Sequence, residues 1–137
     1  KILEIKTTLQ TKEEAKPLLS PKEIFESRDC IDQIYVDSKI KDYIVDLIYA
    51  TRTPERYHLP IKSMLRFGAS PRATIALTIG AKVWAFLNRR GYVIPQDVKA
   101  MALPILTHRI GLSYEAEAEE TTAEQIIEKI LETVPVP

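Results

Sequence analysis

The sequence contains few of the residues from which metal, redox and phosphate-binding sites are built. Its 137 residues include one cysteine, Cys30, two histidines, His58 and His108, and four glycines. One cysteine excludes an intramolecular disulfide, and so few cysteines and histidines form no cluster with zinc spacing. The glycines form no G-x-x-x-x-G-K-S/T phosphate loop, and no aspartate is followed by a glutamate. We therefore expect no metal site and no catalysis by this chain alone.

Long apolar stretches are also missing. No run approaches the roughly 20 residues that a helix needs to cross a bilayer, and no signal-peptide pattern opens the chain. We expect a cytoplasmic protein without a membrane partner. Because the chain begins with Lys1 rather than methionine, we also expect it to be part of a longer protein.

Charge is balanced overall but unevenly distributed. Lys and Arg together number 19, as do Asp and Glu. Residues 52–72 hold five Arg or Lys against one acid, Glu55, whereas residues 114–132 hold seven glutamates against one lysine. Either segment is typical of a solvated surface, and the basic segment is also a candidate for phosphate binding.

Start and stop signals predict an all-α domain of about five helices. Capping boxes open the first and the last helix, and Pro95 opens the fourth. The third is apolar almost all round, so we expect it to be central, with Ile75 and Ile79 packed by neighbours. The predicted helices run from Ser20 to about Ile34, from Asp37 or Ser38 to Thr53, from Pro71 to about Arg90, from Pro95 to Arg109, and from Thr122 until Val134.

Short non-helical segments connect these helices. Tyr35-Val36 and Tyr92-Val93-Ile94 are predicted to be extended links, residues 56–67 a long loop, and residues 115–120 an acidic linker. In the first helix, Ile24 is expected to face inward. Cys30 has no basic or helix-start setting, which favours a buried, unreactive thiol.

The hexapeptide Gly68-Ala69-Ser70-Pro71-Arg72-Ala73 is the most informative segment. Serine followed by proline is a helix-start signal, with Ser70 as the cap and Pro71 in the first helical position. Arg72 then falls in the first turn, where the positive end of the helix dipole disfavours a cation. An anion bound by free amides and the guanidinium would remove this conflict, and the two small residues before Ser70 leave room for it. The alternative is an Arg72 that extends into water.

Four segments, in this order, resemble the C-terminal lid subdomain of a MoxR-family AAA+ ATPase. They are Tyr43-Ile44-Val45-Asp46 with Ala50-Thr51-Arg52, the Gly68–Ala73 hexapeptide, Tyr92–Ala100, and His108-Arg109-Ile110. The resemblance covers roughly residues 20–137, and its motifs are specific in combination. Ile94 departs from the family, which usually has a Thr or Ser cap there, and residues 55–67 are longer and more basic than the family's usual connection.

The resemblance implies a domain division and a role for Arg72. Residues 1–19 would connect to a missing AAA+ αβ core, and residues 20–137 would form the helical lid. Arg72 would be the sensor 2 arginine that reaches the γ-phosphate of ATP. Gly68, Ala69, Ser70 and Pro71 would complete the lid's nucleotide contact. The missing core would supply the phosphate loop, magnesium and the acid that positions water.

The resemblance also implies an assembly and partners. Members of the family form hexameric rings that remodel or activate other proteins, often one with a von Willebrand factor A domain. The full-length parent would then be an ATP hydrolase with a chaperone-like activity.

A helical nucleic-acid-binding module is the alternative from another functional class. Such a module needs a recognition helix with exposed polar and basic residues, and the helix that begins at Pro71 is too apolar for a groove. The sequence therefore favours the lid, without a nucleic-acid partner. The alternative would place five basic residues against phosphates, namely Arg52, Arg56, Lys62, Arg66 and Arg72.

Overall fold

Six helices form most of the described part of the chain, residues 17–137 of the computed structural model. The elements are α1 (Pro21–Asp32), α2 (Ser38–Arg52), a 3₁₀ turn (Pro54–Tyr57), β1 (Leu65–Phe67), α3 (Arg72–Leu87), α4 (Pro95–Leu106), a second 3₁₀ turn (Thr107–Arg109), β2 (Gly111–Leu112), α5 (Tyr114–Ala118) and α6 (Ala123–Thr133). The all-α prediction is confirmed. Of the predicted connector, residues 1–19, all but 17–19 lie outside the described residues.

Side-chain caps fix where α1, α2 and α6 begin. The Ser20 hydroxyl accepts the Glu23 amide at 3.3 Å, and the Glu23 carboxylate accepts the Ser20 amide at 2.6 Å. These hydrogen bonds to Ser20 hold the pKa of Glu23 below its usual range. An equivalent capping box at Thr122 starts α6, and the Asp37 carboxylate accepts the Lys39 amide at the start of α2. All three predicted helix starts are confirmed.

Helix α2 contributes a whole face to the hydrophobic core. Leu47 is fully buried and Ile44 nearly so. Helix α6 packs on both α2 and α4, and α3 packs most extensively on α4. Gly80 permits the close approach of α3 and α4, because a β-carbon there would clash with the side chain of Ile105. The core therefore lies among α2, α3, α4 and α6.

Helix α3 packs on α4 and, to a smaller extent, on α2 and α1, but part of its apolar surface is exposed, contrary to the prediction. Ile75 and Ile79, which we expected to be packed, are 59% and 54% exposed. Leu77 and several small residues form the buried side, while Ile75 and Ile79 turn away from it. The prediction for these two isoleucines was wrong because an apolar pattern does not show which faces have a neighbour. The buried face consists of Ala73, Leu77, Gly80, Ala81 and Ala85.

Helix α1 is loosely attached to the fold, and it contains no buried residue. Ile24, predicted to face inward, is exposed, and Cys30, predicted to be buried, is exposed as well. One link to the rest of the fold is the Lys82 ammonium of α3, which donates to the Asp32 carbonyl at 2.8 Å. The capping signal located this helix correctly but carried no information about how deeply it packs.

The connections contain more structure than predicted. Residues 56–67, expected to be a loop, include two buried side chains, Leu59 and Ile61, and strand β1, which pairs antiparallel with β2. The expected acidic linker at 115–120 contributes most of α5, where the Ser113 hydroxyl accepts the Ala116 amide and Ala116 is fully buried. Strand β1 and helix α5 are too short to show a hydrophobic periodicity in the sequence, so they could not be predicted from it.

The two predicted extended links pair with each other. The Tyr35 amide donates to the Gly91 carbonyl at 2.9 Å, and the Val93 amide donates to the Tyr35 carbonyl at 3.0 Å. Tyr35 and Tyr92 thus form an isolated parallel bridge. The bridge joins the α1–α2 connection to the α3–α4 connection.

A buried ion pair joins the end of α3 to the start of α4. Asp97 is 1% exposed, and its carboxylate accepts two hydrogen bonds from the Arg90 guanidinium. It accepts a third from the Ile94 amide at 2.9 Å. Asp97 therefore supplies one half of a capping box, and Ile94, which lacks a side-chain acceptor, cannot supply the other. Arg90 lies at a predicted helix end, but no pattern in the sequence predicts its pairing with Asp97.

Asp97→Ala is expected to lower the free energy of unfolding by about 2–3 kcal/mol, because it removes three hydrogen bonds to a buried carboxylate. Urea or thermal unfolding of the chain measures the change. Asp42→Ala is the control, since Asp42 is an exposed carboxylate on α2, and it should change stability by less than about 0.5 kcal/mol. Equal losses in the two variants would contradict a structural role for the pair.

Tyr57 attaches the first 3₁₀ turn to α2, because its hydroxyl donates to Asp46 Oδ1 at 2.7 Å. Partial burial and then this hydrogen bond to a carboxylate raise the pKa of Tyr57 to about 12. An unfolded tyrosine has a pKa of about 10. Since the pKa is higher in the folded chain, the interaction stabilises the fold fully below pH ~10 and its contribution is lost as pH rises through ~12.

Tyr57→Phe should therefore remove one tyrosinate from the ultraviolet absorbance titration near pH 12, because the raised pKa belongs to that hydroxyl. Tyr114→Phe is the matched control, since Tyr114 is 86% exposed, and it should leave the transition near pH 12 unchanged. A titration in which Tyr57→Phe keeps that transition at full amplitude would argue against the assignment.

Candidate functional site

The end of α2 holds the loop that leads into α3. The Thr51 hydroxyl accepts the Ala69 amide at 2.9 Å and donates to the Ile48 carbonyl at 2.7 Å. The Arg52 guanidinium donates to the Ala69 carbonyl at 3.2 Å. Both polar groups of Ala69 are thus bonded to consecutive residues of α2. We call Thr51 and Arg52, with these two bonds to Ala69, the α2 clamp.

Burial and close packing reinforce the α2 clamp. Thr51 is 1% exposed and Ala69 is fully buried. A β-carbon at Gly68 would overlap the Thr51 carbonyl oxygen, so only glycine allows the loop to lie this close to α2. The sequence placed Thr51 at the end of a helix, but no one-dimensional pattern shows that its hydroxyl accepts an amide 18 residues further along the chain.

Helix α3 begins one residue later than predicted, at Arg72, and Ser70 is not its side-chain cap. The N-cap is Pro71, in the αR conformation, and no side-chain capping hydrogen bond is made. Instead the Ser70 carbonyl accepts the Ala73 amide at 2.8 Å, and the Pro71 carbonyl accepts the Thr74 amide at 3.1 Å. The main chain makes a tight turn here, which takes the place of the predicted hydroxyl cap.

Several main-chain amides at this helix start are already bonded. Ala69, Ala73 and Thr74 donate within the chain. No described residue accepts a hydrogen bond from the amide of Ser70 or of Arg72. These two amides therefore retain their capacity to bind an anion, whereas the Ala69 amide does not.

The Arg72 side chain is exposed at the positive end of the α3 dipole. Among residues 17–137, no carboxylate lies within 4 Å of its guanidinium. Arg72 borders an open cleft of about 490 Å³ together with Ser70, Pro71 and Ile75. The geometry thus presents a guanidinium and two amides at one surface of the domain.

Two of the other basic residues in 52–72 are bonded to groups of the chain itself. Arg52 belongs to the α2 clamp, and the Lys62 ammonium pairs with the Glu55 carboxylate at 3.1 Å. The pKa of Glu55 lies below its usual range, chiefly because of a hydrogen bond from its own backbone and then because of Lys62. Arg56, Arg66 and Arg72 have no carboxylate partner within the described residues. Lys62 is therefore neutralised by its neighbour, whereas Arg52 keeps its charge while its guanidinium is held at Ala69.

Two other kinds of site find no support in the part of the chain that the structure describes. No group of three or more His, Cys, Asp or Glu side chains within residues 17–137 could hold a metal ion. No helix in the same range is both long enough and apolar enough to cross a membrane.

The fold defines a small helical domain with an exposed arginine at the start of its most apolar helix. A family model described as the AAA lid domain matches residues 60–130, more than half of the chain. The chain belongs to this family. The match includes the loop, the start of α3 and Arg72.

Named relatives agree with this assignment. Chaperone MoxR1 of Mycobacterium tuberculosis is 37% identical over 128 residues, which are 93% of this chain and 34% of that protein. Protein MoxR of Paracoccus denitrificans is 35% identical over 104 residues, which are 72% of this chain and 31% of that protein. The predicted identification as the lid subdomain of a MoxR-family AAA+ ATPase is confirmed.

A solved structure shares the fold closely. The crystal structure of a protein from Cytophaga hutchinsonii, described as a candidate ATPase, superimposes with a TM-score of 0.93 at 38% sequence identity. The superposition covers 99% of this chain and 42% of that one. The chain therefore spans about a third to two fifths of the length of the proteins that it matches.

Gly68→Ala should lower the free energy of unfolding by about 1–3 kcal/mol, because the added β-carbon would force the loop away from the Thr51 carbonyl. Gly91→Ala is the matched control, since a β-carbon there meets nothing within 4 Å, and it should be neutral or stabilising by up to about 1 kcal/mol. Denaturant unfolding of both variants measures the difference. Equal stability of the two variants would contradict the close packing of Gly68 on α2.

Proposed function

We propose that this lid supplies one half of an ATP site, with Arg72 as the sensor 2 arginine that contacts the γ-phosphate. The observation that carries the proposal is the start of α3, where an exposed guanidinium and the amides of Ser70 and Arg72 have no partner among residues 17–137. A cation in the first turn opposes the helix dipole. A bound phosphate group would reverse that penalty, because the dipole, the amides and the guanidinium would all attract it.

The remaining residues of the predicted site support Arg72 in this proposal. Gly68 and Ala69 place the loop against α2, and Ser70 and Pro71 form the turn that opens the helix. ATP would bind with magnesium held mainly by the AAA+ core. The lid's own contribution is positive charge at the phosphate that is transferred, which stabilises the charge that develops there.

The whole protein, in this proposal, is a MoxR-type ATP hydrolase with a chaperone-like activity on partner proteins. The relatives that the chain matches are two to three times its length, which leaves room for a nucleotide-binding core elsewhere in the protein. Residues 1–19 would connect that core to the lid at 20–137. We further propose a cytoplasmic homo-hexamer and a partner with a von Willebrand factor A domain, as the family resemblance implies. Movement of the lid on the core would couple hydrolysis to remodelling.

In the full-length protein, Arg72→Gln should reduce the kcat of ATP hydrolysis by on the order of 10–100-fold, because it removes a positive charge from the transferred phosphate. Its melting temperature should not fall, since Arg72 is exposed, makes no ion pair with a described residue and opposes the helix dipole. Steady-state hydrolysis and thermal unfolding measure the two effects.

Arg89→Gln is the control for the Arg72 experiment. Arg89 follows the opposite end of α3, is exposed and carries the same charge, and its left-handed backbone at φ 57° is no harder for glutamine than for arginine. This variant should hydrolyse ATP within about twofold of the parent. Normal turnover in Arg72→Gln would overturn the sensor role.

A further inference from the structure

We propose that Thr51 and Arg52 are positioning residues for Arg72, so that the α2 clamp sets where the arginine meets the nucleotide. This inference rests on the proposed function, because it concerns the activity that Arg72 would support. Neither side chain need touch ATP. Both act on the main chain of Ala69, three residues before Arg72.

The loop is anchored on both sides of Arg72. Ala69 is fully buried and bonded at its amide and at its carbonyl, and Ala73 is fully buried on the inner face of α3. Only three residues lie between these anchors, and the ring of Pro71 fixes one of their soft torsions. The backbone at Arg72 therefore has little freedom, and the position of its α-carbon and the direction in which its side chain leaves the main chain follow from the position of Ala69.

Two separate hydrogen bonds in the α2 clamp fix the orientation of the main chain at Ala69. The Thr51 hydroxyl holds the amide of Ala69, and the Arg52 guanidinium holds its carbonyl, so the peptide planes on both sides of Ala69 are oriented. Thr51 is itself fixed, because its hydroxyl donates to Ile48 within α2. Since α2 forms part of the core, these bonds tie the loop to the rigid part of the domain rather than to a surface segment.

Loss of one bond should therefore displace Arg72 without unfolding the lid. Displacement of a positioned group by about 1 Å can cost up to ~100-fold in rate. Thr51→Val keeps the shape of the side chain but removes the hydroxyl, whereas Thr51→Ser keeps the hydroxyl. Thr53→Val is the matched control, because among residues 17–137 the Thr53 hydroxyl bonds to the Tyr49 carbonyl of α2 and not to the loop before α3.

The test measures kcat and KM for ATP in the full-length protein, for each variant alone and in combination with Arg72→Gln. Thr51→Val should lower kcat by about 10-fold, while Thr51→Ser and Thr53→Val remain within about twofold. In the Arg72→Gln background, Thr51→Val should lower kcat by less than about twofold, because its effect passes through the missing arginine. A general folding defect would lower kcat by the same factor in both backgrounds.

Arg52→Met provides a second route to the same conclusion. Arg52 is exposed, so its replacement should leave the domain folded while removing the bond to the Ala69 carbonyl. It should show the same loss of kcat and the same lack of effect in the Arg72→Gln background.

The outcomes separate this inference from the function on which it rests. An unchanged kcat in Arg72→Gln would overturn the proposed function and the positioning role together. A reduced kcat in Arg72→Gln with normal turnover in both Thr51→Val and Arg52→Met would overturn the positioning role alone. Equal losses in the two backgrounds would also overturn it, since they would identify a defect that does not act through Arg72.

Discussion

The bonds between α2 and Ala69 are the interaction on which the arrangement of the candidate site depends. A loop between a short strand and a helix has many conformations available to it, and fixing each residue costs about 1–2 kcal/mol of backbone entropy. Here a buried hydroxyl and a guanidinium hold the two peptide units that flank Ala69, and a glycine lets the chain lie directly on the end of α2. The start of α3, and Arg72 with it, takes its place from that contact.

The fold was largely predictable because its signals are local. Ser20, Asp37 and Thr122 cap helices through hydrogen bonds within three residues along the chain, and such bonds leave a pattern in the sequence. The pairing of Tyr35 with Tyr92 was not predicted, although both links were, because the partners are distant in sequence. The same reason explains why the β1–β2 pairing was missed. The Arg90–Asp97 pair is only seven residues apart, but it joins two helices across a turn and leaves no periodic pattern in the sequence.

Some residues of the candidate site could likewise be predicted from the sequence, and others could not. Arg72 could be located from the sequence, because a cation in the first turn of an apolar helix conflicts with the dipole. The supporting residues could not, since Thr51 and Ala69 meet only in three dimensions. The predicted Ser70 cap was wrong for a physical reason. The carbonyls of Ser70 and Pro71 accept hydrogen bonds from the amides at the helix start, so the Ser70 hydroxyl is not needed to cap them. Burial was the weakest prediction, as the exposed Ile75 and Ile79 show.

The ion pair of Arg90 and Asp97 has a mechanical consequence for Arg72. It fastens one end of α3 to α4, while Arg72 occupies the other end, about 24 Å away at the helical rise of roughly 1.5 Å per residue. Helix α3 is also held along its buried face by α4 and at its start by the α2 clamp, so it moves with the domain as one rigid rod, with the guanidinium at its exposed end. A rotation of such a rigid body by about 5° about the far end of α3 would move the guanidinium by about 2 Å, more than the spread of about 0.5 Å in the length of a hydrogen bond. In the proposed ATP site, a small rotation of the lid would therefore be enough to make or break the contact of Arg72.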